Sequence, residues 1–314
     1  MPKGLFLSIK ILNPGLQTTI QDLGRNGYSH YGISSSGAAD DLSFRLGNLI
    51  VGNKENLAGI EMTLVGGDFR FDIDTNISLT GSKFDAKIDG ESLHFYKNTS
   101  IQSGQVLSIG QSMQGSRCYL AIRGGIDINN VLSAKTTHLT SEMGGLNGRS
   151  FKKNDVLKIG DDQKSLKPII VNKLLDIDMS KLLIIKGLQS DYISKSTWQT
   201  FLSQKYIVSN LSNRMGIRLE GRSLKLDNEN EIITEGVPLG AIQLPSNGLP
   251  IISFVEHQTT GGYPKIASVI TSELHKVGQL KPGDKFQFEL VSLEKAETLR
   301  YEREIYVKRI ADHG

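Results

Sequence analysis

The stretch HQTTGGYPKIA, residues 257–267, gathers amides, hydroxyls, a phenol and an amine around a glycine pair. Glycine lets a ligand come close to the backbone, while Gln258, Thr259, Thr260 and Tyr263 can supply directional hydrogen bonds, the means by which amide and carboxylate groups are recognised. The same mixture returns in GLQTTIQDLGRNGY (15–28), YGISSSGAADDLSFRLGN (31–48), RCYLAIRGGID (117–127), EMGGLNGRSF (142–151), SNRMGIRLEG (212–221) and EGVPLGAIQLP (235–245). Brought together, such loops would line one polar hollow for a small acyl or amide ligand. Lys265 follows Pro264 at an expected helix start, where the helix dipole disfavours a cation, so it points to a bound anion or an acidic neighbour. Structural readings stand beside these. Arg25, Arg123 and Arg214 suit ion pairs as well as ligands, and Asp40 suits a helix N-cap as well as a substrate-facing acid or base. Ser34, Ser35 and Ser36 suit loop hydroxyls that satisfy the backbone. Glu256 and His257 are neighbours and would face opposite sides of a strand, which argues against an acid–base couple.

Missing motifs narrow the chemistry. The chain holds no GxxxxGK[ST] phosphate loop, no GxGxxG fingerprint and no GxSxG elbow. Six histidines without HExxH or paired spacing and a single cysteine offer no metal site. No cofactor is therefore expected on this chain, and ATP, if the system uses it, belongs to a different polypeptide. With 36 basic against 33 acidic residues, a net charge of +3, 7% aromatics and basic clusters no longer than Lys152-Lys153, nucleic acid is not an expected partner. Cys118 alone cannot form an internal disulfide and fits a reducing compartment. The apolar patch in MPKGLFLSIKIL is too short for a signal sequence, and no run approaches the roughly 20 apolar residues of a membrane span. The expectation is a cytoplasmic protein with no membrane partner.

The elements that would hold these loops are mostly strands. Short apolar or alternating runs recur between glycine and asparagine turns at 69–73, 76–81, 92–96, 106–110, 118–124 and 156–160, then at 169–171, 182–187, 206–210, 217–221, 241–245, 251–255 and 285–291. That spacing predicts a sandwich or barrel construction in both halves. Helices are expected over 40–53, behind an Asp cap, over 264–277, with Pro264 in its first turn, and over 294–310. The 314 residues suggest two domains, and GDDQKSLKP (160–168) reads as the linker. QTT occurs twice, at 17–19 and 258–260, each time with a Gly-Tyr pair downstream, an echo that would fit an internal duplication.

In order along the chain, GLQTTIQDLGRNGY, SSGAADDLSFRLGN, YLAIRGGID, NRMGIRLEG, EGVPLGAIQLP and QTTGGYPKIA resemble the carboxyltransferase-type family. That family contains the C subunit of the ATP-dependent 5-oxoprolinase, an antagonist of a sporulation-kinase inhibitor, allophanate hydrolase subunit 2 and part of the carboxyltransferase domain of urea carboxylase. The resemblance runs from about residue 10 to 290. It implies a mainly β fold of two cyclophilin-like β-barrel domains with a few flanking helices, at 1–165 and 166–292, followed by a helical tail at 293–314. It implies partnership with the smaller B and the large, ATP-handling A subunits of 5-oxoprolinase, and hydrolysis of 5-oxo-L-proline to L-glutamate. Alternatives within the family are a regulatory protein that antagonises a kinase inhibitor, or a biotin-dependent carboxyltransferase acting on urea or a related amide. No methionine here neighbours a lysine, so any biotin would arrive on a separate carrier. Carried over by motif, Asp40, Arg123 and Lys265 become catalytic candidates. Gln17, Thr18, Arg25, Arg214, Gln258, Thr259, Thr260 and Tyr263 become substrate-binding candidates. The chain departs from the family in having Glu256 where an Asp is common two residues before QTTGGY, and SGAAD for SGAMD.

Overall fold

A computed structural model describes residues 8–161, 167–171, 174–175, 177–227 and 232–312. Two compact units emerge: Met1–Arg25, Ser36–Leu174 and Val307–Gly314 make the first, Asn26–Ser35 and Leu175–Tyr306 the second. The expected boundary at 165/166 and the centre of the expected linker lie outside the described residues. No helix among the described residues is long and apolar enough to cross a membrane.

The first unit holds strands β1 (Ser8–Asn13), β2 (Gln17–Gln21), β3 (Gly59–Thr63), β4 (Asp68–Phe71), β5 (Thr75–Gly81), β6 (Phe84–Ile88), β7 (Glu91–Ser92), β8 (Thr99–Ile101), β9 (Val106–Ser112), β10 (Arg117–Ile122), β11 (Ile126–Asp127) and β12 (Val156–Ile159). They form a seven-stranded sheet in the order β11-β12-β1-β4-β9-β6-β7 and a five-stranded sheet in the order β2-β3-β10-β5-β8. Alternation explains the layering: Ile9 and Ile11 of β1 and Phe69 and Phe71 of β4 point inward, where they join Met62 and Leu79 of the other sheet in one apolar cluster. In place of the closed barrel that the family resemblance implies, the strands stand as two sheets, neither of which closes on itself, with the core shared between their inner faces. Helix α1 (Asp41–Ile50) packs on β5 and β10. Asp40 caps it, Oδ1 accepting from the Ser43 backbone N at 2.9 Å and Oδ2 from the Ser43 hydroxyl at 2.7 Å. Gly47 lets the helix sit close, since a Cβ there would stand 2.8 Å from Thr80 Oγ1.

The second unit contains β13 (Lys181–Lys186), β14 (Tyr206–Val208), β15 (Gly216–Glu220), β16 (Glu235–Gly236), β17 (Ala241–Gln243), β18 (Ile251–Ser253), β19 (Thr260–Gly261), β20 (Lys265–Val269) and β21 (Lys285–Leu290). Seven of them close a barrel in the order β13-β20-β17-β18-β15-β14-β21, and β16 pairs with β19 alongside. Helix α2 (Lys195–Ser203), capped by Ser194, drives Phe201 into an aromatic group with Tyr206 and Phe288, ring centroids 5.9 and 4.8 Å away. A short α3 (Leu274–Gln279) and the long α4 (Leu293–Asp312) complete the chain.

Expectations drawn from periodicity also fail in places. The helix expected over 264–277 is strand β20, a 3-10 turn at Thr271–Glu273 and α3. Ile266, Ala267 and Val269 are all buried, so the strand shows no alternation and mimics a helical stripe, yet hydrogen bonding to β13 on one side and β17 on the other decides the conformation. SLHFY (92–96) contributes only Ser92 to β7, and IIV (169–171) is not a strand. Helix α2 escapes a reading by periodicity because it buries a single residue, Phe201, and so carries little periodic signal.

Candidate functional site

In the second unit the strand pairing of β15 with β18 continues past their ends: Phe254 N donates to Met215 O at 3.0 Å and Glu256 N to Arg214 O at 2.8 Å. The chain then turns, His257 N donating to Phe254 O at 2.8 Å, and returns when Val237 N donates to Thr259 O at 2.9 Å. The open cavity beside this turn, about 130 Å³, has Arg218, His257, Gln258, Gln243, Asn213 and Tyr263 as its polar wall, with Met215 and Ile251 apolar beside them. Gly261 keeps this wall close, since a Cβ there would come 3.2 Å from Gln243 Oε1 and crowd it. Gln243 Nε2 in turn donates to Ser253 Oγ at 2.9 Å, which fixes the amide.

Burial pushes the His257 imidazole below its ordinary pKa, against a smaller opposing effect of its bond to the Gln258 carbonyl. That carbonyl accepts from Nδ1 at 2.7 Å, so the neutral ring keeps its lone pair on Nε2. Because the folded pKa is depressed, the unfolded chain takes up the proton first as pH falls. The His257 contribution to stability is complete above the ordinary histidine value and is lost on acidification between that value and the depressed one. The Arg218 guanidinium has no carboxylate partner among the described residues. One fixed cation, one neutral imidazole, amides and a phenol make a site able to hold a carboxylate, grip an amide and accept a proton.

Of the residues expected from sequence, Gln258 and Tyr263 line this cavity. Thr259 gives its carbonyl to Val237, and Thr260 lies exposed in β19. Lys265 does not start a helix, so the helix dipole has no bearing on it. The acidic neighbour it also anticipated is Glu235, whose Oε1 lies 2.6 Å from Lys265 Nζ. Gln189 closes the ring, donating to Glu235 at 2.7 Å and accepting from the Lys265 backbone N at 3.0 Å. The hydrogen bond from Lys265 holds the Glu235 carboxyl below its usual pKa, so this contribution is present at neutral pH and is lost as pH falls through the depressed value. Lys265 is 4% exposed and Glu235 38%, an asymmetry with a testable result. Glu235→Ala, which strands a buried ammonium, is expected to lower stability by about 3 kcal/mol in urea denaturation, and Lys265→Met, which leaves a carboxylate open to water, by less than about 1.5 kcal/mol.

Arg214 takes the ion-pair role: its Nε stands 2.5 Å from Glu256 Oε1, both side chains buried. The remaining candidates belong to the first unit. Gln17 opens β2 half-buried, Thr18 is buried with its hydroxyl on Pro14 O at 2.5 Å, and Arg25 is buried with Nη2 on Thr136 O at 2.7 Å. Asp40 is the α1 cap, and Arg123 is half-buried just beyond β10. Sequence reasoning missed His257, Gln243 and Arg218. A signal existed for Arg218, which alternates with the buried Ile217 and Leu219 and so must face outward.

Residues 31–290 match the family model described as carboxyltransferase domain, subdomain A and B. The chain is 35% identical over 307 residues to the 5-oxoprolinase C subunit of Haemophilus influenzae, covering 97% of this chain and 99% of that protein. It is 34% identical to the Escherichia coli protein of the same name, with 96% and 97% covered. It is 33% identical to urea amidolyase of Saccharomyces cerevisiae, covering 96% of this chain and 18% of that protein. Among solved structures, Kluyveromyces lactis urea carboxylase superposes with a TM-score of 0.92 at 30% identity, over 97% of this chain and 29% of that one. This chain belongs to the carboxyltransferase-domain family, subdomains A and B.

Proposed function

We propose that the chain is the C subunit of an ATP-dependent 5-oxoprolinase, working with the A and B subunits of that enzyme to hydrolyse 5-oxo-L-proline to L-glutamate in the cytoplasm. The carrying observation is length: two bacterial proteins bearing that name are matched across 99% and 97% of their chains, whereas yeast urea amidolyase is matched across 18%. The cavity chemistry supports the reading, since 5-oxoproline presents one carboxylate and one lactam. In this proposal Arg218 holds the carboxylate, and Gln243 and Gln258 hold the lactam. His257 Nε2 takes the proton of the attacking water. The reaction consumes two waters, one added across the lactam C–N bond and one in the net conversion of ATP to ADP and phosphate. ATP is handled by a partner protein, where phosphorylating the amide oxygen would make the ring carbon electrophilic. Lys265 acts here by fixing Glu235, Asp40 by capping α1, and Arg123 remains the candidate catalytic cation of the first unit. A cyclophilin-like character for the closed barrel of the second unit belongs to the same proposal. The test is reconstitution: glutamate and ADP should form from 5-oxoproline only when all three proteins are mixed, and undiminished turnover by the other two without this chain would refute the assignment.

The superposition on urea carboxylase favours a second reading, carboxyl transfer from a biotin carried by another protein to urea or a related amide. It requires carboxylated urea to form when a biotinylated carrier is supplied, and its absence under those conditions leaves the hydrolase reading alone.

A further inference from the structure

A second cavity in the second unit, about 220 Å³, shares no residue with the one at His257. Ser272 and His275, at the junction of the 3-10 turn with α3, form part of its wall and are 7% and 5% exposed. Among the described residues, neither ring nitrogen of His275 nor the hydroxyl of Ser272 has a hydrogen-bond partner. Burying polar groups unsatisfied is unfavourable, and such groups in a cavity wall point to an occupant that completes them. Arg303 of α4, 8% exposed, adds a guanidinium to the same wall, its Nη2 3.6 Å from Glu304 Oε1. Lys276 and Glu273 also face the cavity but neutralise each other at 2.7 Å. Leu175 and Ile177, both 39% exposed, and Leu299 give the opening an apolar rim, with Glu302 beside them on the exposed side of α4. The described residues contain no group of three or more His, Cys, Asp or Glu able to hold a metal ion.

We propose that this cavity, lined by α3, α4, Leu175 and Ile177, binds a small monocarboxylate with a short aliphatic body. A hydroxyl, an imidazole N–H and a guanidinium are all donors, and a carboxylate has enough lone pairs to accept from all three. The rim leucines and isoleucine cover a few carbons, and the volume is too small for a nucleotide. The pocket is independent of the 5-oxoprolinase reading and does not need the partner proteins.

The full chain titrated with isovalerate, acetate and 3-methylbutan-1-ol tests this. The readout is the imidazole NMR signals of His275, assigned by their absence from a His275→Gln variant. Isovalerate should shift them saturably, acetate should bind about tenfold more weakly for want of the aliphatic body, and the alcohol should leave them unmoved. Ser272→Ala should weaken isovalerate about tenfold, and Arg303→Met should abolish its binding. Should Arg303→Met unfold, Leu299→Trp, which fills the opening and leaves every polar group in place, must abolish the shift instead. Signals unmoved by isovalerate at tens of millimolar would mean that only water fills the cavity, and affinity unchanged in Ser272→Ala and Leu299→Trp would mean that isovalerate binds elsewhere; either result overturns the proposal.

Discussion

His257→Asn is expected to lower turnover of the reconstituted three-protein complex by about 10²–10⁴-fold, with KM little changed, the range typical for losing a positioned general base. Asparagine can still donate to the Gln258 carbonyl that now accepts from Nδ1, because its amide nitrogen takes the Nδ1 position, so the loop should keep its path. What it lacks is a basic nitrogen where Nε2 stood. Burial already depresses the His257 pKa, so the ring is neutral and basic at neutral pH. The wild-type rate should therefore rise with pH through a value below that of an ordinary histidine, and the variant should lose this limb. A rate within about threefold of wild type would remove His257 from the chemistry.

Arg214→Ala should act on stability instead, lowering it by about 3–5 kcal/mol in urea denaturation. Glu256 is 0% exposed at its side chain, and without the guanidinium 2.5 Å away its charge stays buried and unpaired. Replacing both partners, as Arg214→Met with Glu256→Leu, should restore much of the loss, because the desolvated charge disappears together with its partner. If Arg214→Ala abolished turnover while its urea midpoint held, the arginine would face the ligand and the ion-pair account of it would fail.

These two residues show what the sequence can and cannot say. Asp40 and α1 are legible, because a cap residue precedes a stripe of Leu42, Leu46, Leu49 and Ile50 that has one apolar face to bury. Strand β20 is not, since burial on both faces erases the period that separates strand from helix. The two QTT phrases are spelled alike yet differ in setting: Thr18 and Thr19 are buried in β2, whereas Thr260 is exposed in β19. Their shared letters carry no shared role. Gln258 and Tyr263 can be found because glycine-rich polar loops favour ligands. Strand alternation says nothing about where the His257 ring points, because β18 ends at Ser253 and a turn follows. Gln243 and Arg218 lie on separate strands, and the pairing of both with Ile251 of β18 brings them to one cavity.

The claim on which the account rests is that this cavity receives 5-oxoproline through its carboxylate. Arg218→Met in the reconstituted complex measures it most directly, because Arg218 is exposed and its loss should leave the fold intact. The account predicts that KM for 5-oxo-L-proline rises about 10- to 100-fold, the effect of one lost hydrogen bond to a charged group, while the urea midpoint stays unchanged. A KM equal to that of wild type would contradict it.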